Sequence, residues 1–324
     1  MKDSSQHADP LVSLVVTYYN EPKEFLRECL DSIVGQTVHS WEAVIVDDGS
    51  DSRTASDIPS LFGDPRISLI RHDQNRGLGA ARNTGVRATR APLILFVDAD
   101  DRLDPQYLEM TCQKLKSQPE ADFVLTDFQL FGKSNDVWRF PVPLPPLCPV
   151  HFTYVGSGSL MRKRIWESVG GYAEEASVNL GVDLDFWLGA VERGFRPTHV
   201  AQPLYFYRRH SSARSVTNTM YNSHSRAEAV YRRHRKTFEV LGSECPSCRS
   251  QDRGATFLAL GYLTSSIVSL QKGERWRALR LAFHGLTLQP KNPETHRQLL
   301  RTLLPGRSSV LWHKVTERYG VNKR

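Results

Sequence analysis

The first two thirds of the chain alternate short apolar runs with segments in which apolar residues recur at helical spacing. The apolar, β-branched runs predict strands at 11–17, 42–46, 66–71, 92–97 and 122–130, with a closing strand at 204–208. The helical spacing predicts helices at 22–34, 104–115, 162–169 and 183–193. This order is typical of an α/β fold in which helices cover both faces of a largely parallel sheet.

Local signals mark the ends of the first predicted helix. Asn20 offers a cap and Pro22 suits the first turn, while Gly35 suits the end. Polar clusters then follow three of the predicted strands directly, at 17–20, 47–50 and 98–101. Ligands of parallel sheets bind beyond the carboxyl ends of the strands, so we expect these three loops to converge on one crevice.

The chain length, the apolar runs and the cysteines indicate whether the protein is cytoplasmic, secreted or membrane-spanning. The 324 residues are enough for one large or two ordinary domains, with 1–9 as a flexible start. The longest apolar run, 91–97, is too short to cross a bilayer. The sequence also shows no charged start followed by an apolar block, which is the pattern of a secretory signal. Five scattered cysteines suit a reducing compartment. We therefore expect a cytoplasmic protein.

Charge separates the chain into two parts. Residues 1–216 hold 23 Lys and Arg against 28 Asp and Glu, whereas 217–324 hold 19 against 7. The basic part has the apolar spacing of amphipathic helices, which predicts an α-helical C-terminal extension at 217–324. The basic residues singled out are Arg232, Arg233, Arg235, Lys236, Arg275, Arg277 and Arg280, beside the apolar positions Trp276, Leu279, Leu281 and Phe283.

Two roles remain open for this basic extension. A basic face could hold the protein peripherally on the anionic inner leaflet of a membrane. Alternatively, the helices pack or form a homodimer, and their arginines are merely solvated. Nucleic acid is not expected as a partner, because no motif that reads bases accompanies the charge.

Asp98 and Asp100 form the most informative pair of acidic residues. If the strand continues through them, its alternation puts both carboxylates on one face. Their repulsion would be relieved by a divalent cation, Mg²⁺ or Mn²⁺, that also contacts substrate phosphates. The alternative is a solvated acidic turn.

Four motifs, in this order and spacing, resemble those of family 2 glycosyltransferases, which are inverting enzymes of the GT-A fold. They are VSLVVTYYN at 12–20, VIVDDGS at 44–50, NRGLGAARN at 75–83 and FVDADD at 96–101. The resemblance continues through GGY at 170–172, DLDFW at 183–187 and YRRH at 207–210. It implies a nucleotide-sugar-binding GT-A domain at 10–216 and does not cover the extension.

The resemblance assigns donor-binding roles. Thr17 and Tyr19 match residues that cradle the nucleotide base, and Asp48 matches a carboxylate that accepts a base N–H, which suits uracil or thymine. Arg82 matches an arginine near the nucleotide, and Asp98 matches the carboxylate near the ribose. The alternative for Arg82 is an ion pair on a helix surface.

The resemblance also assigns the metal and the diphosphate. Asp100 would bind the metal, and His210 could be a second ligand. Arg208 would offset phosphate charge from a loop that contacts the donor. The alternative for this stretch is a solvated basic loop.

Asp183 is the predicted catalytic base, which takes the proton of the acceptor hydroxyl. The family usually has Glu before this Asp, whereas Val182 stands here, so acceptor recognition differs. The alternative makes Asp183 a helix N-cap and Asp185 the functional group.

Two further stretches keep two interpretations each. The small residues 156–159 either line the sugar and acceptor pocket or form a turn. Cys245 and Cys248 have zinc-knuckle spacing, but no second such pair exists in the sequence, which favours free thiols over zinc.

Together these features predict a metal-dependent inverting glycosyltransferase. Its donor would be a nucleoside diphosphate sugar, UDP-linked, and its acceptor a glycan or lipid-linked hydroxyl in cell-surface glycan synthesis. The alternatives are a nucleotidyltransferase acting on sugar phosphates and a catalytically silent nucleotide-sugar-binding module.

Overall fold

The computed structural model describes residues 9–51, 57–140, 142, 157–175, 181–210, 223–240, 253–292, 295–296, 298–299 and 302. The described chain divides into two compact units, one ending at His210 and one beginning at Ser223. The predicted boundary at 216, residues 1–8 of the predicted flexible start at 1–9, and Cys245 and Cys248 lie outside the described residues.

The first unit is built on one mixed sheet. Its strands are β1 (Val12–Tyr18), β2 (Trp41–Asp47), β3 (Ile67–Arg71), β4 (Leu93–Asp98), β5 (Arg102–Leu103), β6 (Phe123–Gly132), β7 (Val137–Trp138), β8 (Leu160–Arg162) and β9 (Pro197–Arg209). Its helices are α1 (Lys23–Val34), a 3₁₀ turn at Ile58–Leu61, α2 (Leu78–Arg87), α3 (Tyr107–Ser117), α4 (Lys163–Val169) and α5 (Val182–Glu192).

The strand order is β3-β2-β1-β4-β8-β6-β9-β5, with β7 paired to β6. The long pairings, β3–β2, β2–β1, β1–β4 and β6–β9, are parallel, whereas the short strands β5, β7 and β8 pair antiparallel. The predicted α/β fold with a mostly parallel sheet is therefore confirmed. The short strands were not predicted, because two or three residues carry no periodicity.

The two central strands are buried on both faces. Every residue of β4 except Asp98 is buried, and in β1 only Thr17 is partly exposed. A strand covered on both faces must be apolar throughout, which explains why these segments are continuous rather than alternating. Helix α2 packs tightly against β1 at Gly85, where the side chain of Val15 leaves no room for a Cβ.

The loop after β1 differs from the prediction. Helix α1 begins at Lys23 after Pro22 and ends at Gly35, but Asn20 does not cap it. Instead, Asn20 adopts a positive φ of 52°, its backbone N–H donates to Ser50 Oγ, and its side-chain oxygen accepts the N–H of Asp51. Asn tolerates this left-handed backbone better than most residues, and here it joins the loops after β1 and β2.

The second unit is helical, as predicted for the basic extension. It contains α6 (Ser223–Arg233), α7 (Arg235–Val240), α8 (Arg253–Gln271) and α9 (Arg275–Leu288), and α8 packs against both α6 and α9. Its interior is partly polar, since Ser265 and Ser266 of α8 are fully buried and donate or accept side-chain hydrogen bonds. None of the helices in the described part of the chain is long and apolar enough to span a membrane.

The contact between α2 and β1 predicts a stability effect. A Cβ at Gly85 would lie 2.3 Å from Val15 Cγ1, so Gly85→Val should lower the free energy of unfolding by about 2 kcal/mol through overpacking. The matched control is Gly63→Val, because no atom lies within 4 Å of the Cβ position there. Urea unfolding of both variants tests this; equal stabilities would contradict the close packing of α2 on β1.

Candidate functional site

The three polar loops meet at one edge of the sheet. Strand β1 lies between β2 and β4, all parallel, with Thr17 in register with Asp98. Backbone bonds join the loops, since Asp48 N–H donates to Tyr18 O at 2.9 Å and Ala99 N–H donates to Thr17 O at 3.3 Å. The predicted convergence is therefore confirmed.

Arg82 links two of the predicted site carboxylates. Its guanidinium donates to the Asp183 carboxylate and, at 3.3 Å, to Asp98 Oδ1. Phe96 and Tyr172 flank it, with ring centres 5.4 and 5.1 Å from its Cζ. The side chain is 0% exposed, so the alternative of a surface ion pair is wrong. A buried guanidinium needs such partners, because an unpaired buried charge is strongly unfavourable.

This bridge and its surroundings change the acidity of the groups involved. Burial would lower the pKa of Arg82, but Asp183, Tyr172 and Asp98 together raise it, so the guanidinium stays charged. Burial raises the pKa of Asp183, and the charge of Asp98 adds to this against the lowering effect of Arg82. Asp183 is thus a carboxylate with more affinity for a proton than an ordinary aspartate.

Asp98 lies at the centre of this edge. In addition to its contact with Arg82, Asp98 accepts a hydrogen bond from Ser157 Oγ on Oδ2 at 2.7 Å. Thr17 Oγ1 lies 3.5 Å from Asp98 Oδ1. Ser157 belongs to the stretch 156–159, and its neighbour Gly158 has φ 87° with the Tyr205 ring against it. In the described residues 157–159, the small side chains therefore serve close packing beside Asp98.

The predicted geometry of Asp98 and Asp100 needs a correction. Strand β4 ends at Asp98, and a turn follows in which Asp101 N–H donates to Asp98 O at 2.9 Å. The two carboxylates therefore do not share a strand face. They still interact, because burial and then the charge of Asp98 raise the pKa of Asp100, against the lowering effect of His210.

Asp101 connects this turn to β9. It is fully buried, and its carboxylate accepts Tyr205 O–H and Arg208 N–H, each at 2.8 Å. Burial, Asp100 and Asp98 all raise the pKa of Asp101. The turn thus contains the carboxyl groups of Asp98, Asp100 and Asp101. Asp101 stabilises the turn by binding Tyr205 and Arg208 of β9.

Arg208 contacts the same turn. Its Nε donates to Asp100 O at 2.7 Å and its Nη2 to Glu28 Oε2 at 2.6 Å, while its Cζ lies 4.0 Å from the ring centre of Phe25. In this structure Arg208 supports the acidic turn and pairs with Glu28. The diphosphate role stays a prediction.

A divalent metal fits the chemistry of this turn. His210 Nε2 lies 2.9 Å from Asp100 Oδ2, and the Asp100 side chain is partly exposed. Within the described ranges, no three His, Cys, Asp or Glu side chains form a ready metal site. Magnesium sites on nucleotides usually take one or two carboxylates and complete the shell with phosphates and water. Asp100 lies close to the negative charge of Asp98 and to His210, so it suits a metal whose other ligands are phosphates and water.

Asp48 is enclosed on the other side of the loops. Its carboxylate accepts the N–H groups of Arg76 and Gly77 at 2.9 and 2.8 Å, and His72 Nδ1 lies 2.7 Å from Oδ1. Oδ2 accepts the Gly77 N–H, and a carboxylate oxygen has a second lone pair for another donor. Tyr19, also predicted for the base, is 38% exposed.

The start of α5 tests whether Asp183 caps the helix. Gly181 is the N-cap, and Asp183 lies inside the first turn, where its carboxylate meets Arg82. The alternative with Asp183 as the N-cap is therefore wrong. Asp185 is 5% exposed, whereas the Asp183 side chain is 30% exposed and the more accessible of the two.

His72 and Glu28 belong to this region and were missed by the sequence analysis. His72 follows β3 directly and also contacts Thr84 Oγ1 through Nε2 at 2.9 Å. Because His72 directly follows a predicted strand, its position could have placed it with the three polar loops. Glu28 lies on α1 one turn after Phe25, and nothing in its local sequence indicates a partner 180 residues away.

Comparison with known proteins identifies the family. The model of the family described as "Glycosyl transferase family 2" matches residues 13–169 of this chain. The glycosyltransferase YwdF of Bacillus subtilis is 31% identical over 191 residues, which cover 56% of this chain and 68% of YwdF. The chain belongs to glycosyltransferase family 2. Another relative, the O-antigen biosynthesis protein RfbC of Myxococcus xanthus, is 29% identical over 209 residues, or 63% of this chain and 16% of RfbC.

Two solved structures share the fold of this family 2 chain. One is S. aureus TarS 1–349 in complex with UDP-GlcNAc, with TM-score 0.57, 15% identity and coverage of 89% of this chain and 91% of that one. The other is the mannosyltransferase PcManGT from Pyrobaculum calidifontis with GDP-Man and Mn²⁺, with TM-score 0.53, 16% identity and coverage of 91% and 86%. The GT-A fold is therefore confirmed. Across three other matched glycosyltransferases, the chain covers 37%, 71% and 19% of their own length.

The buried bridge predicts a large cost for removing Arg82. Arg82→Gln leaves Asp98 and Asp183 without their shared cation, so the free energy of unfolding should fall by about 3 kcal/mol. The matched control is Arg87→Gln on the same helix, since that arginine is 57% exposed and pairs with Glu174 at the surface. Denaturant titrations of both variants test this; a loss no larger than that of the control would contradict the bridge.

Proposed function

We propose that this chain transfers a hexosyl group from a nucleoside diphosphate sugar to an acceptor hydroxyl with inversion, and that it depends on Mg²⁺ or Mn²⁺. Family membership favours a glycosyltransferase over the alternative of a nucleotidyltransferase. The observation that carries the proposal is the Arg82 bridge. It holds Asp183, the candidate base, beside Asp98 at the edge where parallel-sheet proteins bind nucleotides.

For the donor base, we propose uracil. Asp48, enclosed by two backbone N–H groups and His72, keeps a fixed carboxylate whose remaining lone pair suits an imide N–H. Thr17 lies near the end of the neighbouring strand β1, and Tyr19 directly follows that strand. TarS in complex with UDP-GlcNAc supports this choice, whereas the GDP-Man complex of PcManGT shows that the fold also serves another base.

For the diphosphate, we propose that Asp100 and His210 hold the divalent ion. When bound, such an ion neutralises charge that develops on the departing diphosphate. Asp98 orients the ribose side of the donor through its fixed contacts with Arg82 and Ser157. The complex of PcManGT with GDP-Man and Mn²⁺ supports a divalent metal for a protein of this fold.

For the proton, we propose that Asp183 accepts it from the acceptor hydroxyl as that oxygen attacks the anomeric carbon. The bond to the nucleotide breaks on the opposite face of the sugar, so one displacement inverts the configuration and one base is sufficient. Arg82 keeps the Asp183 carboxylate oriented and charged for this step. Val182, where the family usually has Glu, points to an acceptor contact that differs from the usual one.

For the acceptor, we propose a glycan or lipid-linked sugar in cell-surface glycan synthesis on the cytoplasmic side of a membrane. The match to an O-antigen biosynthesis protein supports this class of product. The remaining alternative is a silent module that binds nucleotide sugar without transferring it.

Two substitutions separate metal binding from proton transfer. Asp100→Asn should weaken binding of a nucleoside diphosphate with Mn²⁺ by about tenfold or more, because it removes a charged ligand. Asp183→Asn should leave this binding nearly unchanged and lower transfer by roughly 10²–10⁴-fold, the usual contribution of a general base. Titration calorimetry and donor turnover measure the two effects, with Asp31→Asn on the exposed part of α1 as control. Near-normal turnover of Asp183→Asn would exclude this base, and donor binding without any wild-type turnover would support the silent module.

The raised pKa of Asp183 predicts the pH dependence. A base works only when deprotonated, so transfer should fall as the pH drops through the pKa of Asp183. Because burial raises that pKa, kcat/KM should begin to fall at a higher pH than an ordinary aspartate pKa of about 4 would give. The pH profile of kcat/KM tests this. A limb near 4, or the same limb in the residual activity of Asp183→Asn, would contradict the assignment.

A further inference from the structure

Two large aromatic side chains lie exposed on one side of α9. Trp276 is 85% exposed and Phe283 is 57% exposed, although such residues are normally well buried. They are two helical turns apart, so they project in nearly the same direction. Arg280 lies between them and is also exposed. We call Trp276, Arg280 and Phe283 the outer face of α9.

The opposite side of α9 does the packing. Ala278, Leu281, Ala282 and Gly285 are buried, and α9 packs on α8. At roughly 100° per residue, these positions centre about half a turn away from the outer face. The apolar stripe predicted from the sequence therefore splits, with Leu281 inside and the two aromatic residues outside. The fold of the helical unit does not bury these rings.

The surroundings of the outer face are basic. Lys272, Arg275 and Arg277 are close to it in sequence, and Glu274 is the acidic residue among them. Over the whole extension, 19 Lys and Arg stand against 7 Asp and Glu. Exposed Trp and Phe among arginines are typical of helices that lie in the headgroup region of an anionic bilayer.

We propose that the outer face of α9 docks this protein onto an anionic lipid bilayer. Trp276 and Phe283 enter the headgroup region, while Arg280 and the basic neighbours contact lipid phosphates. The excess of positive charge favours this partner over a second copy of the chain, because a symmetric contact would bring like charges together. The proposal concerns binding alone and does not depend on the proposed sugar transfer.

Flotation of the full chain with vesicles tests the docking. We expect binding to vesicles of phosphatidylcholine with one third phosphatidylglycerol, weakened by salt, and little binding to phosphatidylcholine alone. The double variant Trp276→Ala, Phe283→Ala should lower the partition constant by about tenfold or more, because it removes the inserted apolar groups. Arg280→Gln should lower it by a few-fold and reduce its salt dependence.

Controls separate docking from loss of fold. The matched control is Leu11→Ala, Val34→Ala, which shortens two exposed apolar side chains of the first unit and should leave vesicle binding unchanged. The aromatic variants should unfold at the same temperature as the wild type, since both rings are exposed. Trp276→Phe should keep binding and lose part of the blue shift in fluorescence that vesicles cause.

Three results would overturn the proposal. The first is vesicle binding that the aromatic double variant leaves unchanged. The second is no vesicle binding together with a dimer, seen by sedimentation equilibrium, that this variant dissociates. The third is binding of RNA or DNA, rather than vesicles, that this variant abolishes. The second and third results would assign the outer face to self-association or to nucleic acid.

Discussion

The fully buried guanidinium of Arg82 is the interaction on which the candidate site depends. It contacts both Asp98 and Asp183, which come from the end of β4 and the first turn of α5. Removing one acid would leave the guanidinium with a single carboxylate partner, and removing both would leave a buried charge without compensation. The bridge therefore holds the end of β4 and the first turn of α5 together at the candidate site.

The next residue extends the same constraint. Asn83 donates to Tyr172 O and Glu174 Oε1, and its side-chain oxygen accepts Tyr172 N–H and the indole N–H of Trp166. All of its hydrogen-bonding capacity is used, so α2 holds the segment after α4 in one arrangement. Neighbouring residues of one helix, Arg82 and Asn83, thus hold Asp183 and the segment at 172–174.

The acidic turn after β4 is held by a second, independent set of contacts. Asp101 joins the turn to β9 through Tyr205 and the backbone of Arg208, and the Arg208 side chain joins it to Glu28 of α1. Three carboxyl groups are thereby kept in a short segment in spite of their repulsion. Burial first, and then this repulsion, raises the pKa of Asp100 and of Asp101. A turn with several carboxyl groups gains from a cation, whereas the Arg82 bridge already contains one.

The sequence by itself determined the α/β class, the main strands and the meeting of three polar loops at one sheet edge. These features follow from periodicity and from residues at strand ends, which are local properties of the chain. Tertiary structure decided which groups pair. The burial of Arg82 depends on Asp183, 101 residues further along, and the enclosure of Asp48 depends on His72 and two backbone N–H groups of another loop. The separation of Trp276 and Phe283 from Leu281 depended on which side of α9 packs on α8. Such outcomes depend on which distant segments supply charge and cover, and no local pattern encodes that.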